Sequence, residues 1–385
     1  MTNAQHPAKP KPVTMRDVAT FCGVDRATVS LALRHDPRIS PATTERVIAA
    51  ATELGYNPSI HDTARRLAYS KYGKEPLNRA VCLLLPPNFH EAMYFAQLHA
   101  GVMDYLMEAG FALVSFYDPR HAARMPFPPI FERGGIDGII GHLGGQVFID
   151  IIAQLRAMPG FADRPIISLI YPMPEIPSVL TDDYAGAYQA TRHLLELGHR
   201  DLLHFFNPEL SHPFSARYAG MCQAMHDNGL DPDQHAVLFV NQAVQFDVAP
   251  GHHLLPPSAR THPQDSPLLA MLTAHPKVTA ILAMNDPMAI QIQYLLQQAG
   301  WQVPEDISLI GFDDTESLTN VFGHRLTSVR LPLKDVGREA AHLMVGQLTG
   351  QLPRGHQQIV LPTELIIRQS TAPPPIRRKK LNADR

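Results

Sequence analysis

Cysteine is scarce: three in 385 residues, at Cys22, Cys82 and Cys222, far apart and set among apolar neighbours. That spacing excludes a disulfide frame and a cysteine metal cluster, and it fits buried thiols in a reducing compartment. No run approaches the ~18 consecutive apolar residues of a membrane span, so no membrane partner is expected. The opening MTNAQHPAKPKP has no apolar signal core. Residues 1–12 read as a flexible basic arm on a cytoplasmic protein. Catalytic signatures are missing too. GIDGIIGHLGG lacks the Gly-Lys-Ser/Thr ending of a phosphate loop, and no GxSxG occurs. Asp182-Asp183 and Asp313-Asp314 are adjacent carboxylates, and neighbours in extended chain face opposite ways. His252 and His253 have no cysteine or carboxylate at ligand spacing. Neither a metal, a cofactor nor an enzyme is therefore expected.

The length suffices for two or three domains with sizeable cores. The net charge of −3 says little, but its distribution says more. Residues 1–79 hold 12 Lys and Arg against 7 Asp and Glu, whereas the remainder holds 21 against 29. A basic front on an acidic body suits a protein whose N-terminal part alone meets phosphates.

Val13 to Leu54 carries the punctuation of three short helices. Thr14, with Asp17 three residues on, opens the first, and Gly23 permits a tight turn. Asp25 caps a second helix with Val29, Ala32 and Leu33 on one face. Ser40-Pro41 opens a third with Val47, Ile48, Ala51 and Leu54 inward and Gly55 as its stop. Two short helices joined by a glycine turn and braced by a third make a helix-turn-helix. The second helix would then present Asp25, Arg26 and Ala27 to base edges. Arg26 is the candidate for bidentate readout of guanine. Thr28 and Ser30 offer hydroxyls to phosphate, and Arg34 and Arg38 offer charge.

From Ala80 onward, apolar runs alternate with helical patterns, which predicts parallel sheets. AVCLLLPP, FALVSFYD, GIDGIIGHL and PIISLIYP read as strands. Near Thr181 the pattern restarts with DLLHFF, HAVLFV, VTAILAMND and ISLIGFDD. Two successive α/β lobes follow, with a ligand cleft at the strand C-termini. Residues 241–267, rich in proline and histidine, resist assignment.

Val13-Thr14-Met15-Arg16-Asp17-Val18-Ala19, Gly23-Val24, Thr28-Val29-Ser30, Ile39-Ser40 and Leu54-Gly55-Tyr56-Asn57-Pro58 resemble the headpiece of the lactose-repressor (LacI/GalR) family. The body resembles that family's periplasmic-binding-protein-like core, most specifically at Thr181-Asp182-Asp183, His199-Arg200, Asn285-Asp286-Pro287, Ile310-Gly311-Phe312-Asp313-Asp314 and Leu326-Thr327-Ser328-Val329. The fold class so implied is a small all-α helix-turn-helix headpiece plus a two-lobed α/β core of parallel sheets. Leu31 departs from the arginine that many members carry after Thr-Val-Ser, so operator preference does not transfer.

The resemblance implies a headpiece at 13–58, a hinge or linker at 59–79 with Leu67 as a minor-groove wedge, and a core at 80–369. Lobe 1 would comprise 80–182 and 329–350, and lobe 2 would comprise 183–326 and 351–369, crossing near Asp182, Leu326 to Val329 and Gln351. Residues 370–385 read as a disordered basic tail. The resemblance also implies an effector pocket of Tyr94, Arg217, Asn285 and Asp313, with Phe246 as a further aromatic wall. Asp286, before Pro287, reads as a helix cap. The expected function is a transcriptional repressor, a homodimer or higher homo-oligomer on a pseudo-palindromic operator, controlled by a sugar or related metabolite. An enzyme or a solute-binding protein on the same body is the alternative.

Overall fold

The computed structural model describes residues 13–33, 36–54, 56, 77–85, 93–117, 127–132, 134–142, 144–158, 161–205, 212–238, 267–315 and 325–376. Arg34, Leu67, Phe246 and most of the 59–79 hinge lie outside them. The chain divides into two units at Leu77.

In the first unit, α1 (Met15–Cys22), α2 (Arg26–Ala32) and α3 (Pro41–Glu53) are too short to persist alone, so caps and a shared core must hold them. Thr14 and Asp17 form a full capping box on α1. Asp25 accepts the Thr28 N–H at 2.7 Å on α2, and Ser40 accepts the Thr43 N–H at 3.2 Å on α3. Each such cap contributes about 1 kcal/mol. Gly23 closes α1 at φ 65°, where a Cβ is disfavoured. Val18, Ala19, Val29, Ala32, Val47, Ala50, Ala51 and Tyr56 form the core.

The second unit carries two parallel sheets. The first begins with β1 (Ala80–Leu85), α4 (Met93–Glu108), β2 (Ala112–Tyr117), β3 (Gly138–Gly141), α5 (Gly145–Arg156), β4 (Ile166–Leu169) and β5 (Ser178–Thr181). The chain then builds α6 (Asp183–Glu196), β6 (Leu202–Phe205), α7 (His212–Asp227), β7 (Ala236–Leu238), α8 (Pro267–Ala274) and β8 (Ala280–Ala283). It continues with α9 (Asp286–Gln298), β9 (Ser308–Asp313) and β10 (Thr327–Arg330), returns as α10 (Leu333–Thr349) and β11 (Gln358–Leu361), and ends with β12 (Glu364–Ile366). The strand orders are β11-β5-β4-β3-β1-β2 and β12-β10-β9-β8-β6-β7. β12 runs antiparallel to β10, and the other pairings are parallel. Strands such as β1, β3, β8 and β9 are buried along their length, as strands covered on both faces must be.

Two expected boundaries move. Val329 and Arg330 belong to the second sheet, so that crossing falls at Leu331-Pro332. β11 pairs with β5, so the last crossing falls at Pro362-Thr363 and not near Gln351. Two of the three crossings are tied together: Asp182 N–H donates to Leu361 O at 2.9 Å, and the Thr363 hydroxyl donates to Asp182 O at 2.9 Å. The tail is also anchored further than expected. Ser370 is buried, and Ala372 N–H donates to the Ser308 hydroxyl at 3.0 Å. His199 sits within 2.9 Å of Ala372 O. Residues 370–372 thus dock on the second lobe, and 377–385 lie outside the described residues. Cys82 is buried, its thiol pushed up to about 12 by burial, whereas Cys22 and Cys222 are half-buried rather than enclosed. No helix among the described residues is long and apolar enough to cross a membrane.

Candidate functional site

The headpiece turns the N-terminus of α2 outward because Val29 and Ala32, three apart, face the core. Arg26 and Ala27 are exposed, and Thr28 and Ser30 are half-buried. Several expected contacts already have partners. Thr14 donates its hydroxyl to Asp17 at 2.7 Å. Asp25 accepts the Thr28 N–H and hydroxyl, and the N–H bond holds its carboxyl below the usual range. Arg38 is clamped on Asp36 by two bonds of 2.9 and 2.8 Å, so reaching a phosphate requires exchanging that partner. Arg26 is in electrostatic range of Tyr56. The exposed, uncapped polar side chain at the start of α2 is Arg26.

In the body, each strand order reverses direction between one pair of strands, β1 and β3 in the first sheet and β6 and β8 in the second. Crevices at such points face the strand C-termini and receive ligands. Tyr94 lies on the helix after β1, His142 follows β3, Arg217 lies on the helix after β6, and Asn285 follows β8. Tyr94, Phe95, His142 and Tyr171 form an aromatic wall, with ring centroids 5.0 to 5.6 Å apart. Burial raises the Tyr94 phenol well above its ordinary value, and Asp313, Tyr171 and Asp183 add to this while Arg217 opposes it. Groups from both lobes therefore share one electrostatic space.

Arg217 is buried and donates from Nε to Asp183 at 2.7 Å and from Nη1 to Met284 O at 2.6 Å. Its guanidinium lies over the Phe312 ring at 3.6 Å, a cation–π contact. Thr181 steadies Asp183 from the other side at 2.7 Å. Asp313 ends β9 at φ 103° and is 6% exposed. Among the described residues no hydrogen bond reaches its carboxyl. Burial pushes that carboxyl well above the usual range, Arg217 opposes the shift, and Asp286 and Asp183 reinforce it.

Asn285 is the N-cap of α9 and accepts the Met288 N–H at 2.9 Å, so its oxygen is committed. Asp286 is not the cap expected of it. Its buried carboxyl accepts Ser328 Oγ at 2.5 Å and Thr315 N–H at 2.9 Å. Burial raises it to about 7. A carboxyl raised in the folded state stabilises the fold fully below its unfolded value, and that contribution is lost as pH climbs through about 7. Asp286→Asn, which keeps both partners, is expected to flatten the fall in unfolding free energy between pH 4 and pH 7. Urea titrations across that range check it, and an unchanged slope counts against it.

Sequence reading missed Asp183, Phe312, His142 and Tyr171 as site residues. Asp183 pairs with Arg217 across 34 positions, and the wall residues meet only through sheet order. Asp183 stood within the quoted Thr181-Asp182-Asp183 run, which was the available signal.

Comparisons with known proteins agree with this architecture. Residues 14–59 match the family described as bacterial regulatory proteins, lacI family, and residues 191–371 match the periplasmic binding protein-like domain. The chain is 28% identical to the HTH-type transcriptional regulator DegA of Bacillus subtilis (strain 168), over 94% of this chain and 98% of that one. It is also 28% identical to the sucrose operon repressor of Escherichia coli, over 93% and 99%. A solved complex of transcriptional regulator CelR with cellobiose has 26% identity and a TM-score of 0.59, covering 93% and 99%. The lac repressor dimer bound to operator and the anti-inducer ONPF has 23% identity and a TM-score of 0.66, covering 94% and 100%, a likeness of fold.

Proposed function

We propose that this chain, which matches the lacI family of bacterial regulatory proteins over residues 14–59, is a transcriptional repressor whose grip on operator DNA is set by a small molecule in the interlobe cleft. It acts as a homodimer on a pseudo-palindromic operator, each headpiece reading one half-site. Full-length relatives named as regulators and repressors support this reading over an enzyme or a solute-binding protein. A ligand controls DNA affinity only through differential affinity for two conformations, here two dispositions of the lobes.

The observation that carries the effector half is Asp313: a buried carboxyl without a hydrogen bond among the described residues, beside an arginine already paired. It is an acceptor suited to hydroxyl donors. The cations that the described residues bring near it are already paired, Arg330 and Arg368 with Asp314. Arg217 is neutralised by Asp183. The segments that follow β1, β6 and β9 (86–92, 206–211 and 316–324) contain Glu91, Glu209 and Glu316 and no lysine or arginine. Arg120, Arg124 and Arg260 follow the outer strands β2 and β7. The effector we infer is therefore uncharged and hydroxyl-rich, a sugar rather than a sugar phosphate, with the Tyr94 wall against its apolar face. The complex of CelR with cellobiose and the sucrose operon repressor lend support by name.

Selection of random duplexes by gel shift, followed by sugar titration, tests both halves. Arg26→Ala should cost about 1–3 kcal/mol of binding and relax preference at one operator position. Equal discrimination before and after the change would remove Arg26 from base readout. Asp313→Ala should leave operator binding intact and abolish release by the effector. An unchanged dose-response would take Asp313 out of the pocket.

A further inference from the structure

Asp313 and Asp314 both hold left-handed backbone, at φ 103° and 53°, a conformation that non-glycine residues keep only when their surroundings enforce it. Several groups do so. Asp314 N–H donates to Ser328 Oγ at 3.2 Å, and Thr315 N–H donates to Asp286. The Asp314 carboxyl is fully buried between two arginines, with Arg330 Nε at 2.8 Å and Arg368 Nη1 at 2.6 Å. Arg368 is itself fixed, donating from Nη1 to Leu326 O at 2.7 Å and from its N–H to Thr327 Oγ1 at 2.9 Å. Arg330 stands opposite Asp313 in the β9–β10 register and reaches Glu364 at 3.4 Å.

Arg330 is the last residue before the chain leaves for the first lobe at Leu331-Pro332, and Glu364 is the first after it returns at Pro362-Thr363. Leu331 N–H closes the ring by donating to Asp313 O at 3.4 Å. The pocket turn and two of the three crossings are thus joined by one chain of ion pairs. None of Asp314, Arg330 and Arg368 was singled out by sequence reading for the cleft.

We propose that Asp314, clamped by Arg330 and Arg368, is a positioning residue: it holds the Asp313 turn left-handed so that the Asp313 carboxyl stays aimed into the cleft, and it anchors that turn to the strands that cross between lobes. This role rests on the reading that Asp313 faces the effector. An effector that pulls on Asp313 pulls, through Asp314, on the crossing strands.

Among the described residues, the charged and titratable groups about Asp313 are Arg217 on α7, Asp183 on α6, Asp286 on α9, Tyr94 on α4, Arg330 on β10 and Asp314 beside it. Their signs make a sharp test. Removing a neighbouring cation alone raises a carboxyl's pKa. Releasing the turn lets the carboxyl reach water and lowers it. The full chain is labelled with carbon-13 at aspartate carboxyls, and the Asp313 signal is assigned as the one lost in Asp313→Asn.

In Arg330→Gln, at a half-exposed side chain that tolerates the change, the Asp313 midpoint is expected to fall toward the ordinary carboxylate range. Arg330→Lys, which keeps the charge on β10, is expected to retain most of the wild-type value. An upward move or no move in Arg330→Gln overturns the proposal, as does a fall in Arg330→Lys equal to that in Arg330→Gln. A merely structural clamp would lower the melting temperature without moving the Asp313 midpoint down. The underlying reading fails separately, by a wild-type effector response in Asp313→Ala.

Discussion

Arg217→Met is expected to destabilise the body by about 3–5 kcal/mol and to abolish effector control, the larger of the two strongest effects. The side chains of Arg217 and Asp183 are 8% and 4% exposed, so neither has water to fall back on. Methionine fills much of the same volume over Phe312 but leaves Asp183 buried without its cation, beside Asp313, already pushed toward its neutral form. The cost therefore comes from an uncompensated buried charge, not from a lost contact. That distinction can be measured. Adding Asp183→Leu to Arg217→Met should restore a large part of the loss, because replacing both ions by apolar groups is close to neutral. Urea denaturation followed by fluorescence of Trp301, buried in the second lobe, reads both variants. A single variant within about 1 kcal/mol of the wild type would mean that water reaches the pair.

Gly101→Ala is the second. Alanine normally gains about 1 kcal/mol over glycine within a helix. Here the sign reverses, because α4 and α10 cross with their backbones touching. A Cβ on Gly101 would stand 1.9 Å from Lys334 O, and one on Gly337 would stand 2.2 Å from Leu98 O. Neither obstacle can move without parting the helices, so a loss above about 3 kcal/mol is expected for each substitution. Gly355→Ala, where a Cβ meets nothing within 4 Å, is the control. Thermal midpoints decide it, and Gly101→Ala melting with the control would show that the crossing is looser than described.

What could be read from the chain beforehand follows from range. Caps are local: Thr14-Asp17, Asp25-Thr28 and Ser40-Pro41 each complete themselves within three residues, and all three do so in the structure. The strands of the two lobes were also legible, because buried parallel strands write continuous apolar runs. The last crossing was not. QIVLPTELI is one apolar run split by Pro362, and nothing within it says that its first half pairs with β5 and its second with β10. The same holds for the pocket. Arg217 and Asp313 came from resemblance, whereas Asp183 and Arg330 gain their meaning only from partners brought near by the sheets.

The interleaving of the lobes has a consequence for synthesis on the ribosome. The headpiece is one contiguous stretch with its own core, and it is able to fold as soon as residue 56 has emerged. The first lobe is not. Its edge strand, residues 358–361, and the helix at 333–349 that packs on α4 are made after nearly all of the second lobe. A half-made chain therefore carries a finished helix-turn-helix unit ahead of a two-lobed body that cannot yet close, and chaperone protection during elongation should matter for the body far more than for the headpiece.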